Sequence, residues 1–388
     1  MEKLQVSAFT PTTSTSSSVM TESGACDLEV DAAAAAAVLP PSILLRKKIS
    51  DVTMEEEGSA HVVVDPEKSL LHKLNIADGS DHSVSRPWVV GHRGALYDEL
   101  ENTREGFNHC ANMGCDAVEL DVFALEDGSV IVFHGAGNDR NPGLLQEYCN
   151  VPGSILDMKT FEETQRLTFN PNFAEFPCAP DKILSGKIPK LDDVLLDAKK
   201  SGLHLKIELK GAGTVQPTLD LVDKYGMVDQ CSFSSFDLPR LKELRDLRPQ
   251  RDSMTGKHVY QTGALFDDTP FDFLKQAMDV GADEIHLRYD ECTPERIACI
   301  HALGMGSMAW LCGPVTMTSY AESKYLDVGN EDEGCFEILL RTGVQQVCVN
   351  KPDVVIGMRR KKEQAKTNIG PTPIMQGSNR PGIVIAAA

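Results

Sequence analysis

The feature that most constrains what this chain can fold into is its rhythm: short apolar β-like runs recur between stretches of helical character. From Trp88 onward the runs are WVVGHRG, DAVELDV, SVIVFHG, LHLKIEL, QCSFSSF, TGALF, DEIHLRY, GSMAWLC and VQQVCVN. Such alternation predicts a parallel sheet wrapped by helices. Nine runs compete for the eight strands of a TIM (β/α)8 barrel. The surplus is resolved if SVIVFHG is the return arm of a hairpin. Only the turn around Asp127-Gly128 separates it from the strand before it, whereas parallel strands need crossovers of a dozen residues or more.

The barrel is expected to occupy residues 86–360 of the 388. Residues 1–85 carry TPTTSTSSS, an alanine-rich run broken by Pro40 and Pro41, and the acidic MEEEGSA. None has sustained periodicity, so the segment reads as a low-complexity extension. Residues 361–388, rich in Pro, Gly and polar side chains, read as a flexible tail. The opening lacks the order of a secretory signal, and Glu2, Glu22, Asp27, Glu29 and Asp31 argue against a transit peptide. A net charge of −19 argues against a general nucleic-acid or anionic-membrane binder. No apolar run is long enough for stable membrane insertion. Eleven scattered cysteines with no CxxC pair suggest reduced thiols and a cytoplasmic setting. The oligomeric state is not legible.

Chemistry concentrates in VELDVFALEDGSVIVFHG, residues 118–135, where Glu119 and Asp121 share one face of an otherwise apolar strand. With Asp-Gly as a two-residue turn, Glu126 faces Ser129 and the pairing runs outward to set Asp121 opposite His134. Buried carboxylates need a cation, an arginine or a shared proton, although a solvated strand face would also tolerate them. A second stretch, VVGHRGALYDELENTREGF, ends its strand at His92-Arg93-Gly94. There His92 suits proton transfer and Arg93 suits phosphate oxygens. Asn102 or Thr103 suits a helix cap. In LHLKIELKGAG, Glu208 and Lys210 share a strand face with His204 and Lys206. Glu208 would complete an all-oxygen set with Glu119 and Asp121, fitting Mg²⁺ or Ca²⁺ rather than zinc.

In this order, GHRG (91–94), ENT (101–103), ELDV (119–122), EDGSVIVFHG (126–135), IPKLDDVL (188–195), IELK (207–210), SSF (234–236), MAW (308–310) and VNKPD (349–353) resemble the glycerophosphodiester phosphodiesterase family over about residues 88–358. The resemblance implies a TIM barrel with a small insertion, about residues 136–187, after the hairpin histidine. It implies Glu119, Asp121 and Glu208 as ligands of a divalent cation, His92 and His134 as the acid/base pair, and Arg93 and Lys210 as phosphate binders. Glu101 and Asn102 would support them, and Phe236 and Trp310 would wall the substrate pocket. The implied reaction is hydrolysis of a glycerophosphodiester to glycerol 3-phosphate and an alcohol. A lysophospholipase D-like enzyme and a catalytically silent phosphoester-binding barrel are the alternatives. Three positions depart from the family pattern: Gly135 stands where an aspartate usually follows the histidine, LCGP and an acidic segment follow Trp310, and Asn350 replaces an aspartate.

Overall fold

The computed structural model describes residues 86–138, 141–313 and 331–368. All nine runs are strands. Eight form the parallel barrel, in spatial order: β1 (Trp88–Gly91), β2 (Ala117–Ala124), β6 (His204–Leu209), β7 (Cys231–Ser235), β8 (Gln261–Phe266), β9 (Glu284–Arg288), β10 (Gly306–Trp310) and β11 (Gln346–Val349). Closure comes from β1, which pairs in parallel with both β2 and β11. The surplus run is β3 (Val130–Val132), antiparallel to the far end of β2.

Strand alternation explains why apolar strands can carry charges. On β2, Val118, Leu120 and Val122 face outward into a core shared with Leu191, Val194 and Leu219 of the surrounding helices, and every one is buried. The alternate residues, Ala117, Glu119 and Asp121, therefore point into the barrel. On β6, Leu205, Ile207 and Leu209 face the helices, so His204, Lys206 and Glu208 point inward. Parallel pairing sets Glu119 beside Lys206 and Asp121 beside Glu208. The inward groups then divide by depth. Lys206 Nζ lies 2.8 Å from Glu284 Oε2, which also accepts from His286, while Gln346 donates to Oε1. That polar layer forms the barrel floor, and Asp121 and Glu208 lie one step nearer the C-terminal rim, where barrel sites are built.

The hairpin register departs from expectation by one residue. Leu125 donates to the Ser129 carbonyl and Gly128 folds back on Leu125, so the loop is three residues long, with Gly128 at φ 84 in the left-handed position such a loop requires. The observed pairs Val122–Val132 and Phe123–Ile131 place Phe133, not His134, opposite Asp121. His134 reaches the site because the ladder stops at Val132 and the chain turns at Gly135.

Residues 133–190 leave the barrel before rejoining it. They include a small antiparallel pair, β4 (Ala136–Asn138) and β5 (Asn141–Leu144), and three short helices, α2 (Gln146–Cys149), α3 (Phe161–Thr164) and α4 (Pro180–Ser185). Their core of Leu145, Tyr148, Ile155, Phe169 and Phe176 joins Phe123, Ile131 and Phe133 of the hairpin. The closing helix runs from Pro352 to Asn368, so residues 361–368, read as tail, are helical. The remaining expectations for residues 1–85, 314–330 and 369–388 lie outside the described residues.

Candidate active site

A cavity of about 500 Å³ opens at the C-terminal rim of the barrel. Glu119, Asp121 and Glu208 stand at its base, each buried, with one carboxylate oxygen apiece lying within 4.8 Å of the others. Two cations stand over them. Lys210 Nζ is 3.0 Å from Glu208 and 3.4 Å from Asp121. Arg93 donates through its backbone amide to Glu119 Oε2 at 3.1 Å and through Nη1 to Glu101 Oε2 at 3.1 Å. Its Nε lies 3.8 Å from Asp121. Arg93 also adopts φ 54, a conformation that costs a non-glycine residue energy and concentrates at functional sites.

The ENT stretch divides its labour between support and capping. Thr103 caps α1 (Arg104–Met113), accepting from the Gly106 amide. Asn102, itself at φ 54, donates to Asp121 Oδ2 at 2.9 Å and accepts from the Asp121 amide at 3.2 Å. Asn102 therefore fixes the orientation of one carboxylate, as Glu101 fixes the guanidinium.

The two histidines stand at the cavity's edge. His92 Nδ1 is 2.7 Å from Asn350 Oδ1. The amide of Asn350 is oriented by donating to the Cys312 carbonyl and to Glu331, each at 2.7 Å. The oxygen it turns to His92 can only accept, so His92 donates from Nδ1 and keeps Nε2 for the cavity. His134 Nε2 is 3.0 Å from Arg93 Nη2, and its Nδ1 is 3.0 Å from the Tyr148 hydroxyl. Burial, then Arg93, depress the His92 pKa from 6.5 to about 3. Burial, Arg93 and Lys210 likewise push His134 well below its usual value, so both rings are neutral before an anion arrives.

Electrostatically the base of the cavity is incomplete. Burial first, then Asp121 and Glu208, raise the Glu119 carboxyl well above its usual range, and Glu119 Oε1 is buried without a partner. Lys210 does not remedy this. Burial would lower its pKa, but Glu208 and Asp121 more than offset that and raise it, so it stays charged beside those two residues and leaves Glu119 unpaired. Three convergent carboxylates with one orphaned oxygen fit a divalent cation with hard oxygen ligands.

Phe236 and Trp310 meet edge to face with ring centroids 5.4 Å apart and form one wall of the cavity. The opposite wall comes from the 133–190 segment, including Tyr148 and Phe173. The sequence singled out neither Tyr148 nor Glu331. Tyr148 lies in a segment without a motif, and its only signal was its place in the chain after the hairpin histidine. Lys206 and His204 belong to the barrel interior rather than to this site.

Barrel and cavity together define a TIM barrel with a charged site at its C-terminal rim. The model of the glycerophosphoryl diester phosphodiesterase family matches residues 92–354, and the chain belongs to that family. A glycerophosphodiester phosphodiesterase of Bacillus altitudinis is 29% identical over 167 residues, which are 42% of this chain and 62% of the relative. A rat protein named Lysophospholipase D GDPD1 is 24% identical over 174 residues, 40% of this chain and 51% of that protein. These alignments thus span roughly half to two thirds of the relatives. Among solved structures, an Oleispira antarctica phosphodiesterase in complex with the product sn-glycerol-3-phosphate superposes with a TM-score of 0.55 at 19% identity, covering 71% of this chain and 97% of that one. A glycerophosphodiester phosphodiesterase from Agrobacterium tumefaciens gives 0.52 at 19%, covering 70% and 100%. At these identities the superpositions establish the barrel fold.

Proposed function

We propose that the chain hydrolyses glycerophosphodiesters to glycerol 3-phosphate and an alcohol, with Mg²⁺ or Ca²⁺ held by Glu119, Asp121 and Glu208. The observation that carries this reading is the convergence of three carboxylates, Arg93, Lys210 and two histidines on one cavity. When bound, the cation supplies charge to the non-bridging phosphate oxygens and offsets the negative charge that grows as the new bond to phosphorus forms. Arg93 and Lys210 share that charge, and Glu101 and Asn102 hold the arginine and Asp121 against rotation. His92 and His134 divide the proton transfers: one accepts the nucleophile's proton on its lone pair, and the other, protonated once the phosphate's charge offsets Arg93 and Lys210, gives that proton to the departing alkoxide. Phe236 and Trp310 pack against the carbon skeleton of the substrate.

The assay is release of glycerol 3-phosphate from glycerophosphocholine by the purified full-length protein, with Mg²⁺ or Ca²⁺ and in chelator. Cation-dependent release supports the reading. No release from glycerophosphodiesters of choline, ethanolamine or inositol sinks it. Lysolipid hydrolysis is the second reading, favoured by the rat relative's name and by Phe173, Leu265 and Met308 on the cavity wall. Turnover of lysophosphatidylcholine in preference to glycerophosphocholine would select it. No helix of the described residues is long and apolar enough to cross a membrane. No disulfide joins the described cysteines, which supports a cytoplasmic setting as part of the proposal.

A further inference from the structure

His134 is held at both ring nitrogens, and the chemistry of its partners fixes where its proton sits. Arg93 Nη2, 3.0 Å from Nε2, can only donate, so Nε2 must present its lone pair. A neutral imidazole has one N–H, which then lies on Nδ1 and points at the Tyr148 hydroxyl 3.0 Å away. The same hydroxyl accepts from Arg93 Nη1 at 3.4 Å. It therefore ties the histidine to the guanidinium that holds the carboxylates.

Tyr148 is well placed to hold an orientation. It is 1% exposed, and its ring packs against Phe133, Phe173 and Phe176 at centroid separations of 5.4, 4.9 and 5.1 Å. Packing of this kind leaves the hydroxyl little freedom to leave Nδ1.

Gly135, one residue after His134, explains how Tyr148 comes so close. A Cβ at position 135 would lie 2.5 Å from Gly143 Cα and 2.7 Å from the Phe133 ring, and the residue sits at φ 69. Any side chain there, a carboxylate included, would push away β5 and the helix α2 that follows it with Tyr148. The absence of a side chain at 135 and the presence of a phenol at 148 are two halves of one arrangement.

We infer that Tyr148 is a positioning residue for the reaction. It holds His134 in the Nδ1–H tautomer with Nε2 directed to Arg93 and the cavity. The inference rests on the phosphodiesterase reading of this site.

The test uses the full-length protein and the variant Tyr148→Phe, which removes the hydroxyl and keeps the ring packing. With Mg²⁺ and glycerophosphocholine, kcat should fall about ten- to a hundredfold, the usual loss on removing an orienting partner. KM should stay within about twofold, because the phenol makes no contact that distinguishes bound from free substrate. Long-range ¹H–¹⁵N spectra, with the His134 signals identified by their loss in His134→Ala, should show the Nδ1–H form in wild type and a mixture in the variant. An Nε2–H wild-type ring, or a variant with unchanged kcat and unchanged tautomer, overturns the inference. The wild-type spectrum decides even where Tyr148→Phe does not fold. It also needs no turnover: a protein inactive on every diester but showing the Nδ1–H ring would defeat the reaction assignment and leave the orientation standing.

Discussion

Replacing Glu119 by Gln is expected to stabilise the cation-free protein while removing its response to cation. Glu119 is 6% exposed. One of its oxygens accepts from the Arg93 amide, and the other has no partner. Burial, with Asp121 and Glu208 beside it, lifts its pKa well above 4.5. A raised folded-state pKa supports the fold below the unfolded value and loses that support as pH climbs toward the folded value. The loss grows by about 1.4 kcal/mol per pH unit above 4.5, so it reaches at most about 3.5 kcal/mol at pH 7. The amide never ionises and escapes it. At roughly 2 °C per kcal/mol for a barrel of this size, the variant should melt up to about 7 °C above wild type at pH 7 in chelator, and the gap should nearly close at pH 5. Cation reverses the order. At a hundred times its Kd it adds about 2.7 kcal/mol to wild type, whereas the variant has lost an anionic ligand and should shift far less. Thermal melts at the two pH values, with chelator and with Ca²⁺ or Mg²⁺, read all of this. A gap independent of pH, or a variant that responds to cation as wild type does, refutes the reasoning.

Other outcomes follow from the same geometry. His92→Ala and His134→Ala should each lower kcat for glycerophosphocholine by about 10²- to 10⁴-fold with the cation-induced melting shift retained, since neither ring touches the carboxylates; steady-state kinetics beside melts check both halves. Gly135→Asp places a side chain against Gly143 at positive φ, and strain plus overpacking should cost about 2–5 kcal/mol. Its melting temperature should therefore fall by roughly 4–10 °C, and kcat should fall as Tyr148 is pushed from His134.

The architecture was largely legible because periodicity reports burial. The nine runs are the nine strands of the main sheet, and the short link to SVIVFHG correctly made it a hairpin arm rather than a ninth barrel strand. Turn detail was not legible. Asp-Gly serves both a two-residue loop and the end of a three-residue loop, and the chain takes the second, with Gly128 left-handed. The resulting slip set Phe133 opposite Asp121, yet His134 still entered the site, since it lies beyond the ladder and the pairing rule no longer governs it. His92, Arg93, Glu119, Asp121, His134, Glu208 and Lys210 were visible as motif residues, and the structure brings them to one cavity. Tyr148 was not, because a partner brought in by a segment with its own small core leaves no spacing to read. The choice between Asn102 and Thr103 as helix cap also needed coordinates: Thr103 caps, and Asn102 holds Asp121.

The most direct test of the site is a crystal structure of the protein grown with Mn²⁺ and glycerol 3-phosphate. An anomalous peak bound by Glu119, Asp121 and Glu208, with the phosphate reached by Arg93 and Lys210 and the glycerol carbons against Trp310, is the expected result. Manganese bound away from those carboxylates, or phosphate held elsewhere on the rim, would contradict the account.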